Sequence, residues 1–417
     1  METGSNLKPI SRLPVVEWVF IVFWCQEILI DYLLQIYRRI PIIGDTTYQA
    51  IIPLIFFLLF IIALYARLKV KLIDIVFVIV AILPCIFSLV QHQEAATNEL
   101  PTFFLKVFPM FFVGLFLNED KRVWKNYSLF QILYILSIVN LIANSAYTFY
   151  YLSSRVLEGY SMTWAYSILP SVLMLIYWGV REKHLLADIL AVFGFLLILS
   201  YGSRGPIVCV LVFTALLIAI NMVNRKKYSI IVLFFILIVI ILNTNYVSLI
   251  VSYLRGIISR TGFSTRVFDM MLRNDILNDT GRSPIRAALL SAISERPLLG
   301  YGLYADRYLS SSGIYIAGMY AHNLVLELWT QFGVIIGSLI MLVIGVLVIK
   351  AVIKAREDAH QLCMLLIFIC VGVVKLFMSG SYLQEPYFFL LIGYCTKIIR
   401  EKRSGGRVIN YANSLAM

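Results

Sequence analysis

The chain has 417 residues, is 61% hydrophobic and carries a formal charge of +12, with a mean hydropathy of +0.88. That composition excludes an ordinary soluble domain and points to a membrane protein. The basic residues lie in short clusters beside apolar segments, so the charge reads as membrane topology and not as nucleic-acid binding.

About twelve apolar segments reach the length needed to cross a bilayer. They lie near 15–36, 50–66, 70–90, 102–118, 127–147, 163–180, 185–201, 206–222, 228–245, 325–349, 361–380 and 384–399. Backbone groups in lipid must bond internally, so these segments are helices, and the alternating pattern of a membrane barrel is absent. With the N-terminus inside, the inner turns collect Lys8, Arg12, Arg67, Lys69, Lys71, Lys121, Arg122, Lys125, Arg181, Lys183, Arg225, Lys226 and Lys227. Lys350, Lys354, Arg356 and the tail from Lys397 to Arg407 join them. The short outer loops keep only Arg38, Arg39, Arg155 and Arg204. The positive-inside rule favours this direction, which puts both chain ends in the cytoplasm. No small-residue cleavage site follows the first segment, so a cleavable leader is not expected. All six cysteines lie in apolar segments without a C-x-x-C and read as packing residues. No internal repeat suggests an inverted-repeat transporter. The expected architecture is one all-α polytopic membrane domain over 1–417, with the 246–321 stretch inserted as an outer loop or helical cap.

That loop carries eight arginines and no lysine. Its arginines are Arg255, Arg260, Arg266, Arg273, Arg282, Arg286, Arg296 and Arg307, and Asp269, Asp275, Asp279, Glu295 and Asp306 are available to pair with some of them. Arginine holds two phosphate oxygens at once and keeps its charge at low dielectric. Arg204, in the tight turn Tyr201-Gly202-Ser203-Arg204-Gly205-Pro206, and Arg282, in Thr280-Gly281-Arg282-Ser283, are the leading candidates for a lipid-linked diphosphate. Interfacial anchoring is the other reading of Arg204. Apolar residues at Ile285, Ala288, Leu289, Ala292 and Ile293 predict a helix over 283–295, opened by Pro284 and ended by Arg296-Pro297. Gly300-Tyr301-Gly302 predicts a turn. Tyr301, Tyr304, Tyr308, Tyr315 and Tyr320 then approach His322, and their rings suit sugar stacking or a membrane interface.

His322 ends the loop and begins an apolar helix, on which Asn323, Glu327 and Gln331 share one face. A polar stripe entering a membrane helix faces a cavity or another segment and not lipid. Two readings stand together: helix capping with interhelical bonding, or His322 as a general base for a sugar hydroxyl. Glu327 orients His322 through another group or binds sugar. Lys106 and Lys375 lie inside apolar segments toward the outer half, and Glu27 lies in the first segment. Snorkelling, pairing with Glu27 and contact with substrate phosphate are the readings for the two lysines. No acidic cluster has metal-ligand character and D-x-D is absent, so neither a metal nor another cofactor is expected.

From about Tyr201 to Gly337 the chain resembles the O-antigen polymerase/ligase family of bacterial membrane glycosyltransferases. The resemblance rests on Ser203-Arg204-Gly205, Gly281-Arg282, Pro297-Leu298-Leu299-Gly300-Tyr301-Gly302, and His322-Asn323 followed by Leu326-Glu327-Leu328 and Gly333. One departure is Ser283-Pro284-Ile285, where relatives often carry a tryptophan after the Gly-Arg pair. The resemblance implies a fold of the glycosyltransferase C type in the inner membrane, with its site facing the periplasm. It implies a glycan donor linked to undecaprenyl diphosphate, His322 as base, and Arg204 and Arg282 at the diphosphate. Single displacement would invert the anomeric centre. Polymerisation onto a lipid-linked repeat unit is the first expectation, with a chain-length regulator as a partner. Ligation to lipid A–core is the alternative, and a non-catalytic transporter of the same glycan is a third. The transporter reading calls for a membrane-centred polar path, whereas the strongest polar cluster lies at the outer face.

Overall fold

The computed structural model describes residues 14–25, 99–124, 126–153, 162–224, 245–260, 265–273, 282–309 and 320–401. The expected segments at 50–66 and 70–90, nearly all of 228–245, and Glu27 lie outside the described residues. In chain order the α-helices are α1 (Val15–Trp24), α2 (Pro109–Phe116), α3 (Leu129–Ser153), α4 (Met162–Glu182), α5 (Leu185–Ser200), α6 (Arg204–Asn224) and α7 (Asn245–Ile258). They continue with α8 (Arg266–Leu272), α9 (Ser283–Glu295), α10 (Ala305–Leu309), α11 (Leu324–Ala355), α12 (Ala359–Ile369), α13 (Lys375–Met378) and α14 (Pro386–Arg400). Two wider π-helical turns, Phe103–Val107 and Cys370–Val374, interrupt apolar helices. A small antiparallel pair, β1 (Arg122–Trp124) and β2 (Tyr127–Ser128), links α2 to α3.

Five helices among the described residues are long and apolar enough to cross a membrane: Glu99–Phe116, Leu129–Ala146, Met162–Glu182, Leu324–Ala355 and Ala359–Met378. Val15–Trp24, Leu185–Ser200 and Arg204–Ile220 are shorter apolar helices. The protein is thus a multi-spanning α-helical membrane protein, and the five full-length candidates are those among the described residues, which leave out three of the roughly twelve expected segments. Lipid-facing surfaces appear as helical stripes. On α11, Ile335, Leu339, Leu342, Val346, Ile349 and Ile353 are exposed at three- and four-residue steps.

Apolar burial drives helices together weakly in lipid, so close packing must hold the bundle. Helices α2 and α14 meet through Gly114 and Gly393. A Cβ on Gly114 would lie 2.2 Å from the Leu390 carbonyl oxygen, and one on Gly393 would lie 1.9 Å from that of Phe111. A polar ladder joins α3 to its neighbours. Asn140 donates to Ser171 Oγ at 2.8 Å, Asn144 donates to Asn140 Oδ1 at 2.6 Å, and Thr148 meets the Tyr201 hydroxyl at 2.5 Å. The ladder ends at the turn that presents Arg204.

The break in α11 positions the site. Gly333 has φ 79° and ψ 168°, which no α-helix accommodates. Trp329 Nε1 donates to Ser338 Oγ at 3.0 Å, although nine residues of straight helix advance about 13.5 Å. The helix therefore folds sharply. Groups freed by the break would be costly in a membrane unless protein re-satisfies them. The segment 297–302 does so. Tyr301 N donates to Thr330 O at 2.9 Å, Gly302 N to Gln331 O at 2.9 Å, and Val334 N to Pro297 O at 2.7 Å. A Cβ on Gly300 would lie 2.6 Å from the Gln331 backbone, and one on Gly333 would lie 2.4 Å from Leu298 O. The Pro297–Gly302 motif and the distant Gly333 are two halves of one docking joint.

Candidate functional site

His322 sits just ahead of α11 with φ 52°, a left-handed conformation that non-glycine residues seldom adopt. Such a residue persists only where its surroundings over-determine it. Two anchors do this. Asn323 caps α11, its Oδ1 accepting from Val325 N at 3.0 Å and Leu326 N at 3.2 Å. Asp306 Oδ2 accepts from Ala321 N, on the other side of His322, at 3.0 Å.

Asp306 belongs to a buried charged core. Arg307 Nη1 donates to Asp306 at 2.9 and 3.0 Å and to Glu327 Oε1 at 3.5 Å, while its Nη2 donates to Ser381 Oγ at 2.9 Å. Glu327 is 0% exposed and accepts from Ser381 Oγ and from Tyr382 N, the latter at 3.2 Å. Gln331 Nε2 reaches Asp306 at 3.4 Å, and the Tyr382 hydroxyl donates to Gln331 Oε1 at 2.5 Å. Burial opposes the charge on Arg307, and Asp306, Glu327 and Glu99 outweigh it and raise its pKa. The stripe predicted on α11 is real, but Glu327 and Gln331 face this core. Glu327 reaches His322 through Arg307, Asp306 and the backbone of Ala321.

Above the core lies a cavity of about 530 Å³. Arg204, Arg266, Arg282 and Arg286 line it together with His322, Asn323 and Trp329. Among the described residues no carboxylate lines it. Each arginine comes from the start of a helix or its first turns: α6, α8 and α9. Arg282 is held by its Nη1 donating to Met378 O at 2.6 Å. Helix α9 packs through Ile285, Leu289 and Ala292 against Leu309 and Ala321, which leaves Arg282, Arg286 and Leu290 on the cavity side. Burial, with the Arg282 charge adding to it, pushes the His322 imidazole down to about 4. The ring is therefore neutral near pH 7, and its buried Nδ1 has no hydrogen-bond partner among the described residues. The arrangement combines a field that attracts a multiply charged anion with a base able to take a proton beside it.

A second cavity, about 250 Å³, shares Met162, Tyr166 and Ser379 with the first. Lys106, Lys375 and Tyr320 line it. Lys375 pairs with Glu385, and its Nζ lies 4.7 Å from the Tyr166 ring centroid. The Tyr320 ring packs against that of His322, tilted by 42° with centroids 4.0 Å apart. The structure thus places Arg204, Arg282, His322 and Asn323 at the first cavity and Lys106, Lys375 and Tyr320 at the second. Glu327 and Tyr301 line neither. Tyr301 supports the docking joint, its hydroxyl donating to Glu295 at 3.1 Å with Arg296 over its ring at 4.7 Å. Asp269 pairs with Arg255 at 2.5 Å, which holds its carboxyl below the usual range.

Sequence reading did not single out Arg266, Arg286, Tyr166 or Ser381. Arg286 had a usable signal, because it follows Arg282 by one turn on a predicted helix and like charges at that spacing repel unless an anion joins them. Tyr166 and Ser381 had none, since only tertiary packing brings them near His322. Among the described residues no group of His, Cys, Asp and Glu could hold a metal ion.

The fold and cavity describe a polytopic membrane protein with an arginine-lined cavity beside His322. Residues 189–342 match the family model described as O-antigen ligase, so a domain of that family is present over part of the chain. The matched stretch contains Arg204, Arg266, Arg282, Arg286, His322 and the Gly333 joint, and the match supports a role in transferring lipid-linked glycan. No curated protein and no solved structure matches the chain.

Proposed function

We propose that the protein is a glycosyltransferase of the bacterial inner membrane that moves a glycan from undecaprenyl diphosphate to a sugar hydroxyl, with lipid A–core as acceptor. The observation that carries this reading is the convergence of four arginines and a neutral histidine in one cavity that no described carboxylate lines. The family description favours ligation over the polymerisation first expected from the sequence.

The donor's diphosphate sits among Arg204, Arg282, Arg266 and Arg286. His322 takes the proton of the acceptor hydroxyl, and the freed oxygen attacks the anomeric carbon. The bond from that carbon to the diphosphate oxygen breaks, and undecaprenyl diphosphate leaves with the electron pair. Attack from the opposite side inverts the anomeric centre. The arginines stabilise the charge that grows on the leaving group, in a site preorganised by the Arg282–Met378 contact and the Gly333 joint. Asp306, Arg307 and Glu327 hold His322 in place without touching the reacting atoms. The 246–321 segment forms a cap over the site on the periplasmic face, and both chain ends lie in the cytoplasm.

A product assay on the purified full chain tests this. Undecaprenyl-diphosphate oligosaccharide is supplied with and without lipid A–core, beside His322→Ala. Product formed only with lipid A–core, and lost in the variant, is the expected result. A ladder on the carrier alone would make the protein a polymerase and bring a chain-length regulator into play. Undiminished product in His322→Ala would overturn the mechanism.

A further inference from the structure

The second cavity has no part in the chemistry above, yet it is built from groups that ask for a ligand. Trp24 is 4% exposed and lines the cavity, and its indole Nε1 has no hydrogen-bond partner among the described residues. The Tyr166 hydroxyl, on the wall between the two cavities, is likewise buried and unpartnered among the described residues. It occupies space that a Cβ on Gly205 would fill, at 1.9 Å. Buried donors normally find an acceptor, so two unsatisfied ones beside an open space mark the place where an acceptor arrives.

Charge adds to this. Lys106 and Lys375 both line the cavity, and each sits in or directly after a π-helical turn. Such turns inside α-helices are frequent at functional sites. Glu385 neutralises Lys375, whereas Lys106 makes no ion pair among the described residues. A lysine inside an apolar segment is costly and marks a binding path.

We propose that this cavity is the acceptor-sugar subsite, and that Lys106 selects a sugar carrying an acidic group. The inference rests on the glycan-transfer reading. The cavity's size fits one sugar ring, since about 250 Å³ lies below the ~300–1,000 Å³ typical of drug-sized ligands. Aromatic faces at Phe23, Trp24, Tyr320 and Tyr387 suit stacking against a ring. Tyr320 packs against His322 with ring centroids 4.0 Å apart, so a sugar held here lies beside the base, with the diphosphate in the neighbouring chamber. That is the separation of nucleophile and leaving group an inverting displacement needs. The walls support the division of labour: apart from Tyr320, every lining residue lies outside the matched 189–342 stretch. The family segment supplies the shared phosphate chemistry, and the rest of the chain supplies acceptor choice.

The test uses the full chain in lipid nanodiscs, with Lys106→Met and Trp24→Phe each made on the inactive His322→Ala background. The probes are a synthetic core trisaccharide bearing one phosphate monoester, the same trisaccharide without it, and undecaprenyl diphosphate. Lys106→Met weakens the phosphorylated probe at least tenfold and erases its advantage over the neutral one. Trp24→Phe keeps an aromatic ring but loses the N–H, and it weakens both trisaccharides. Neither variant changes binding of undecaprenyl diphosphate. Unchanged trisaccharide binding in both variants, or an equal loss for the carrier, would overturn the subsite. Failure of the unmutated chain to form product with lipid A–core bears on the glycosyl-transfer reading, and the product assay reports it separately.

Discussion

The two ends of the bundle place their charges differently. The helical stretch from Ala359 to Met378 has His360 in its first turn, whose Nδ1 meets Asp120 at 2.8 Å, and ends at Met378, whose carbonyl holds Arg282. At the first end the charges are paired. Lys397 meets Glu119 at 2.9 Å, Lys121 meets Glu17 at 3.6 Å, and His360 stacks on Phe130 with centroids 4.1 Å apart. The His360 contact lowers the pKa of Asp120. At the other end four arginines surround an open cavity that no described carboxylate lines, and the backbone of His322 is held in a strained conformation. Ion pairs fasten helices at both ends, but only at this end, among the described residues, do arginine side chains also line a space wide enough to admit a ligand.

The largest expected effect is at His322. We predict that His322→Ala lowers transfer by about 10²–10⁴-fold while thermal unfolding stays near that of the unmutated protein. A fall of less than tenfold would leave His322 a structural residue like His360. Next comes arginine geometry. Arg282→Lys keeps the charge but loses the planar fork and the Met378 anchor, and a drop in kcat of about 10²-fold is expected. Equal activity would mean that the cavity supplies only a diffuse field.

Gly333→Ala attacks the joint that carries the site. The added Cβ meets Leu298 O in a left-handed conformation, and strain of this kind costs about 1–3 kcal/mol. Lower thermal stability with reduced transfer is expected, and an unaffected protein would show that the 297–302 segment docks differently.

The pH profile separates the two histidines further. His322 is pushed down to about 4 from an ordinary value near 6.5. A lowered pKa means the folded site resists protonation. Its contribution to stability is fully present above about pH 6.5, declines as the pH falls from there, and is lost below about 4. The acid limb of kcat/KM, which reports the free enzyme, is expected well below pH 6.5. The limb of kcat lies higher, because a bound diphosphate favours the imidazolium. A kcat/KM limb at pH 6.5 that survives buffer exchange would show His322 to be solvated like a surface histidine.

The smallest effect belongs to the paired end. Asp120 is 57% exposed, and Asp120→Asn should cost no more than about 1 kcal/mol and leave transfer unchanged. A large loss of transfer would couple the two ends and break the contrast drawn between them.

Among the described residues, the apolar helices, the 283–295 helix and the Gly300–Gly302 turn were legible in the sequence because each rests on local rules: apolar length, periodicity and glycine chemistry. That His322, Arg204 and Arg282 were worth naming was legible because histidine is scarce here, at four in the chain, and because both arginines sit in glycine-bearing turns beside apolar segments; the structure puts all three at one cavity. Arg307 was not, since its worth comes from Asp306 and Glu327, 1 and 20 positions away in sequence but touching in space. The separation of Lys106 and Lys375 from the arginine cavity was hidden for the same reason.

Apolar composition and local pattern by themselves determined that this chain is helical and membrane-embedded, because lipid leaves a backbone few other choices. They also brought His322, Arg204 and Arg282 forward as candidates. Only the tertiary structure decided which of those residues share a chamber, that Glu327 supports the site from beneath, and that α11 breaks at Gly333. Such outcomes depend on contacts between segments far apart in sequence, where packing and the satisfaction of freed backbone groups override any local preference.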